Sequence, residues 1–295
     1  MEHIKTKTVL SKCKYGNEWY GIDYAMNLYR GCSHGCIYCD SRSNCYRIED
    51  FDRVRGKEHV LGILEKELRR YYDHGVVGIG AMSDTYNPME AVYEYTRDAL
   101  KLLLRYDYGV SIDTKSDLIL RDLDLLKQMN ERNNVIVKVT ITCADDALSL
   151  IVEPNVCASS RRFEIIKELR KAGIYAGIMM NPILPYVNDD EENILAIVQK
   201  AHAADAKFIH TYMGMTLREN QRDYYYQKLN AYFPGLVERY EQRFENRYLC
   251  KSEYATELGK CFRKACKECG ILYRMQDIIR DYKKDIVRMK QMSLF

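Results

Sequence analysis

Three cysteines, Cys32, Cys36 and Cys39, fall in the segment Gly31-Cys-Ser-His-Gly-Cys-Ile-Tyr-Cys39. Their spacing lets one short loop wrap three thiolates around a single iron–sulfur cube. A cube normally takes four thiolates, so three local ligands leave one iron with an open position. An open position is what separates a reactive metal site from a structural one. Two other uses of these thiols stay open on the residues alone. Zinc could take His34 as a fourth ligand, although so tight a loop strains a tetrahedron. A disulfide is disfavoured by the odd number of thiols and by a start, Met1 to Lys14, that is polar and basic with no apolar run.

The elements that must carry such a loop are legible downstream. Apolar residues at helical spacing predict helices over Val60 to Tyr72, Ala91 to Tyr106, Leu118 to Asn130, Arg161 to Ala172 and Glu191 to Ala204. Short apolar or β-branched runs predict strands at Val76 to Met82, Gly109 to Thr114, Val135 to Thr142, Ile174 to Met180 and Lys207 to Tyr212. With a strand before Tyr29 these make six βα units. Helical crossovers require parallel pairing, and repeated right-handed units curl into a barrel or part of one. Active residues then belong at the carboxyl ends of the strands.

Composition bounds the rest. A chain of 295 residues can bury a substantial core, and its net charge of +3 makes no global case for nucleic acid. No stretch is long and apolar enough for a membrane span. Eleven cysteines without an export signal point to a reducing cytoplasm, where thiols bind metal more often than they pair. The 25 tyrosines against one tryptophan read first as tyrosine-rich helix faces.

The segment Asn27-Leu-Tyr-Arg-Gly-Cys-Ser-His-Gly-Cys-Ile-Tyr-Cys-Asp40 resembles the cluster loop of radical S-adenosylmethionine (radical SAM) enzymes, and more closely the branch that includes spore photoproduct lyase. The resemblance implies an α/β fold, a partial barrel of six βα units. It implies a [4Fe–4S] cluster on Cys32, Cys36 and Cys39, and S-adenosylmethionine bound at the open iron and cleaved to a 5′-deoxyadenosyl radical. It places Tyr38 against the adenine, Ser83 and Asp84 near the methionine end, Lys115 on the cofactor carboxylate, and Thr140 as a cofactor-binding hydroxyl. Arg162 either anchors the cofactor or pairs with Glu153. One departure stands out. The lyase returns a hydrogen atom from a cysteine beside its post-strand serine, where this chain has Met82. Cys143 is the nearest substitute, and a small buried residue is its plainer description.

From Leu217 onward the chain reads as helix after helix, with arginines and tyrosines interleaved: either a phosphate- and base-gripping surface or the exposed faces of amphipathic helices. Cys250, Cys261, Cys266 and Cys269 could close a second cluster, provided the helix carrying the last three breaks near Gly270. The final Gln291-Met-Ser-Leu-Phe295 resembles the peptide by which bacterial repair proteins hold the sliding clamp, with Gln291, Leu294 and Phe295 as anchors.

The expected organisation is therefore an N-terminal segment (1–23), a radical SAM partial barrel (24–216), an α-helical extension (217–290) and a clamp-binding tail (291–295). The expected function is radical chemistry on DNA, a lyase-like base repair in the cytoplasm, with flavodoxin or ferredoxin as electron donor. Radical modification of a peptide or small molecule, and a non-enzymatic cluster-containing clamp partner, are the alternatives.

Overall fold

The computed structural model describes residues 1–14, 18–70 and 74–283. Its strands, in chain order, are β1 (His3–Ile4), β2 (Leu10–Lys12), β3 (Tyr24–Met26), β4 (Tyr29–Arg30), β5 (Arg55–Lys57), β6 (Val76–Ile79), β7 (Gly109–Thr114), β8 (Val135–Thr140), β9 (Tyr175–Met180), β10 (Ile209–Thr211), β11 (Gly214–Thr216) and β12 (Leu249–Lys251). The main sheet has seven strands in the order β10-β9-β8-β7-β6-β3-β2. Six of them, β3 through β10, run parallel, and only β2 at the edge is antiparallel. The six predicted βα strands are thus all present, and the fold is the expected α/β one.

The helices follow the apolar spacing. In Val60–Arg70 the buried residues are Val60, Leu64 and Leu68, one per turn on a single face. Tyr95–Arg105 turns Ala99, Leu100 and Leu103 to the sheet, and Ser159–Lys171 turns Phe163, Ile166 and Leu169. Two predicted helices differ from expectation at their starts. The one near Ala91 is split, because Glu94 adopts a left-handed φ of 50° between Glu90–Tyr93 and Tyr95–Arg105. The one near Leu118 begins as a 3-10 turn over Asp117–Asp122 before Leu123–Arg132.

The inward face of the sheet is sealed below the site. Ile136, Met179 and Phe208 pack there with Tyr20 from the N-terminal segment and with Ile278 and Tyr282 from the last helix, Met275–Tyr282. The Tyr282 hydroxyl donates to the Tyr20 carbonyl. The edge of β10 is covered by Leu272, whose backbone donates to Lys207 and accepts from Ile209. Covering that edge removes a row of unpaired backbone groups.

The C-terminal third is not helix throughout. Helices Gln221–Tyr232 and Leu236–Phe244 are followed by β12, which pairs antiparallel with β11 and so brings Tyr248 and Leu249 back to the carboxyl end of the barrel.

Candidate active site

The cluster loop leaves β4 at Gly31, whose φ of +83° favours glycine. A Cβ there would also lie 2.6 Å from the Phe51 carbonyl oxygen and 2.8 Å from that of Arg53. The loop is then tied down at most of its length. Cys32 N–H donates to Phe51 (2.9 Å), Ile37 N–H to Val152 (3.0 Å) and Asn155 N–H to the His34 carbonyl (3.1 Å). The Ser83 hydroxyl donates to the Gly31 carbonyl at 2.7 Å, and Gln221 of the C-terminal extension donates to the Tyr38 carbonyl at 2.9 Å. A loop held this way is pre-shaped for whatever its thiols bind.

Around it lies a cavity of about 680 Å³ at the carboxyl ends of β6 to β10. Cys32, Cys36, Cys39, Tyr38, Ser83, Asp84, Lys115 and Thr140 all line it, so the chain positions far apart in sequence converge as expected. Their polar groups divide into two sets. Asp84 is held inside the wall: it accepts from the Thr114 hydroxyl (2.7 Å), the Tyr86 N–H (2.9 Å) and the Lys115 N–H (2.9 Å). His34 Nδ1 sits 3.5 Å from the same carboxylate. Burial alone would raise the Asp84 carboxyl, but the His34 charge and hydrogen bond, with Lys115 and Thr114, hold it well below the usual range. Burial likewise opposes charge on His34, yet Asp84 and Cys32 on its two sides push it up to about 10. Ser83 and Asp84 are therefore groups that hold the loop against the β6 and β7 ends. Lys115 is different. Its ammonium lies 5.9 Å from the Tyr38 ring centre and has no hydrogen-bond acceptor among the described residues. Burial lowers its proton affinity, but Cys36, Glu153 and Asp84 more than offset that and keep it charged.

Behind the loop is a buried relay that single residues did not reveal. The Tyr38 hydroxyl donates to Glu153, and Glu153 pairs with Arg162, both side chains having zero exposure. Arg162 also donates to the carbonyls of Thr140 (3.0 Å) and Cys157 (2.8 Å). Of its two expected roles, Arg162 takes the pairing with Glu153; it does not line the cavity. Through this relay the cluster loop is fixed to the end of β8.

The Radical SAM superfamily profile matches residues 26–216. The uncharacterized protein Rv2578c of Mycobacterium tuberculosis is 31% identical over 228 residues, 75% of this chain and 67% of that protein. The uncharacterized protein MJ0683 of Methanocaldococcus jannaschii is 30% identical over 171 residues, 58% of this chain and 64% of that protein. Among solved structures, a spore photoproduct lyase variant with bound AdoMet and dinucleoside spore photoproduct superposes with a TM-score of 0.67 at 16% identity, covering 92% of this chain and 81% of its own. This chain belongs to the radical SAM superfamily. Its fold is that of spore photoproduct lyase.

The cofactors of a radical SAM protein are a [4Fe–4S] cluster and S-adenosylmethionine, and the residues present fit them. His34 is committed to Asp84, which leaves the three thiols as the ligands the loop offers. In a cube each thiolate meets its own iron, so thiols set apart on one loop are what the cluster needs. The unpartnered Lys115 ammonium suits a carboxylate, and Thr140, buried at the end of β8, lines the same cavity.

Two expectations are not met or lie outside the described residues, and Cys143 takes the plainer of its two descriptions. Cys143 does not line the radical SAM cavity: β8 ends at Thr140, and the alternation of side chains turns Cys143 into a core with Val152, Leu184 and Met215. Burial pushes its thiol up to about 11. The late cysteines are not gathered. Cys250 is buried on β12, Cys266 packs in the main core beside partly buried Cys269, and Cys261 donates to Glu191 at 3.4 Å. The helix Ala255–Glu268 ends before Gly270 and does not fold these thiols together. Gln291, Leu294 and Phe295 lie outside the described residues. No helix among the described residues is long and apolar enough to cross a membrane.

Proposed function

We propose that this chain is a radical SAM enzyme that repairs a damaged base in DNA. When bound, the cluster and S-adenosylmethionine supply, by reductive cleavage, a carbon-centred radical able to take a hydrogen atom from an unactivated position. The chain's own residues do the rest. Cys32, Cys36 and Cys39 hold the cluster. Lys115 binds the cofactor carboxylate, Thr140 offers a hydroxyl from the end of β8, and the Tyr38 ring, fixed through Glu153, forms the wall beside them. Electrons come from a small carrier such as flavodoxin or ferredoxin. The tail at Gln291 to Phe295 tethers the enzyme to the sliding clamp, and its removal abolishes that binding.

The observation that carries the DNA reading is the mouth of the cavity. Trp19, Tyr248 and Leu249 line it while remaining 42%, 46% and 49% exposed. Exposed large apolar side chains grouped at one opening mark a binding surface. Arg218 lies 4.8 Å from the Tyr248 ring centre and donates to its hydroxyl at 2.9 Å, while the Lys251 ammonium lies 5.9 Å from the Tyr212 ring. Aromatic rings flanked by cations suit stacked bases on an anionic backbone. The shared fold of a lyase solved with a dinucleoside photoproduct supports the same reading.

The test is anaerobic formation of 5′-deoxyadenosine by the reconstituted, reduced protein. Ultraviolet-irradiated DNA should raise it well above intact DNA. Equal slow turnover with irradiated DNA, intact DNA and no DNA would overturn the proposal and turn the search to peptides and small molecules.

A further inference from the structure

The cavity wall is chemically uneven. The charged groups, Asp84, Asp113 and Lys115, follow or end β6 and β7. Across the sheet, β9 and β10 are followed by Asn181 and Tyr212, which carry no charge. The Asn181 side-chain oxygen and the Tyr212 hydroxyl are both buried and have no hydrogen-bond partner among the described residues. Buried polar atoms in native proteins are nearly always paired, and leaving one unpaired costs about 1–3 kcal/mol. The two atoms belong to residues on adjacent strand ends that line one cavity, a place where a ligand can supply the partners.

Trp19 belongs to the same side. Its ring meets His210 of β10 edge-on at 5.3 Å and Tyr20 at 5.2 Å, contacts that fix the indole at the wall. This half therefore offers a held aromatic surface, a carboxamide and a phenol, with the Lys251 ammonium 5.9 Å from the Tyr212 ring centre. A flat, neutral ring with donors and acceptors along its edge would satisfy every group.

We infer that Trp19, Asn181 and Tyr212 form a nucleobase subsite: the base stacks on Trp19, and its edge hydrogen-bonds to Asn181 and Tyr212. The cofactor then occupies the β6–β8 half and the base the β9–β10 half of one cavity. This deepens the DNA reading and rests on it.

The test uses the full-length, cluster-loaded protein and oligothymidylate as probe. Trp19 is the only tryptophan in the chain, so its emission reports on this wall alone. Oligothymidylate should quench that emission. Asn181→Ala and Tyr212→Phe should each weaken binding about fivefold to tenfold, the worth of one neutral hydrogen bond. Tyr212→Phe removes a single oxygen, and unchanged cluster absorbance in both variants checks that the site is assembled. Anisotropy of labelled oligonucleotide separates the two ideas. Normal DNA binding with no quenching, or with wild-type affinity in both variants, overturns the subsite and leaves the DNA reading standing. No binding of DNA overturns the DNA reading. In that case quenching by free thymidine that is lost in both variants would still support the subsite, and its absence would end both.

Discussion

Arg162 and Glu153 offer the sharpest perturbation, because both side chains are fully buried and each is the other's counter-charge. Arg162→Met keeps the length of the stem and removes the charge. Taking one partner from a buried pair leaves an uncompensated charge, at a cost of about 3–5 kcal/mol. The carbonyls of Thr140 and Cys157 lose their donor as well, adding about 1 kcal/mol each by the usual net worth of a hydrogen bond. The sum, roughly 5–7 kcal/mol, is comparable to the whole stability of many domains. Glu153→Gln should cost less, about 3 kcal/mol, since the one amide oxygen can still accept from Arg162 while the bond from Tyr38 to the other carboxylate oxygen is lost. In the double variant no buried charge remains, so its loss should fall about 2 kcal/mol or more short of the sum of the singles. Anaerobic thermal melting of the loaded protein reads this, at roughly 2–4 °C per kcal/mol for a chain of this class. Iron content reads the functional consequence, because Glu153, the anchor of Tyr38, would lose its own counter-charge. A single-variant loss below about 1 kcal/mol, or strict additivity, would refute the claim that this pair locks the loop to β8.

Other outcomes follow from the same geometry. Cys36→Ala should abolish cluster binding, and an unchanged iron-to-protein ratio would sink the assignment of the loop. Gly31→Ala forces a side chain into a left-handed position against two carbonyl oxygens, so iron incorporation should drop sharply; a normal cluster spectrum would show that the loop can shift. Lys115→Ala should leave the cluster intact and weaken S-adenosylmethionine about tenfold or more, as measured by equilibrium binding, in keeping with a lost charge-assisted bond. Cys250→Ser and Cys266→Ser should not change the iron content, since the two thiols lie in different cores; a loss of iron in either would revive a second cluster.

The cluster loop and the parallel sheet were legible because both are local signals. Thiol spacing lies within eight residues, and each strand is a short β-branched or apolar run between helices of regular spacing. The relay of Tyr38, Glu153 and Arg162 was only half legible: Glu153 and Arg162 are near in sequence, but the link to Tyr38 crosses 115 positions. β12 was missed for a similar reason. It is three residues long, and its partner β11 precedes it by two helices. Cys143 takes the plainer of its two descriptions, a small buried residue, packed with Val152, Leu184 and Met215. Asn181 and Tyr212 carried no signal at all. An asparagine and a tyrosine become site candidates only once their polar atoms are seen buried and unpaired.

The most direct measurement of the central claim follows the lesion itself. Ultraviolet-irradiated DNA is incubated anaerobically with the reduced, cofactor-loaded protein, then digested to nucleosides and separated by chromatography. Base repair predicts that one lesion nucleoside disappears as its parent thymidine or cytidine returns, with Cys36→Ala inactive beside it. Lesion content identical to the no-enzyme control, while 5′-deoxyadenosine still accumulates, would show a working radical SAM enzyme whose substrate is something other than damaged DNA.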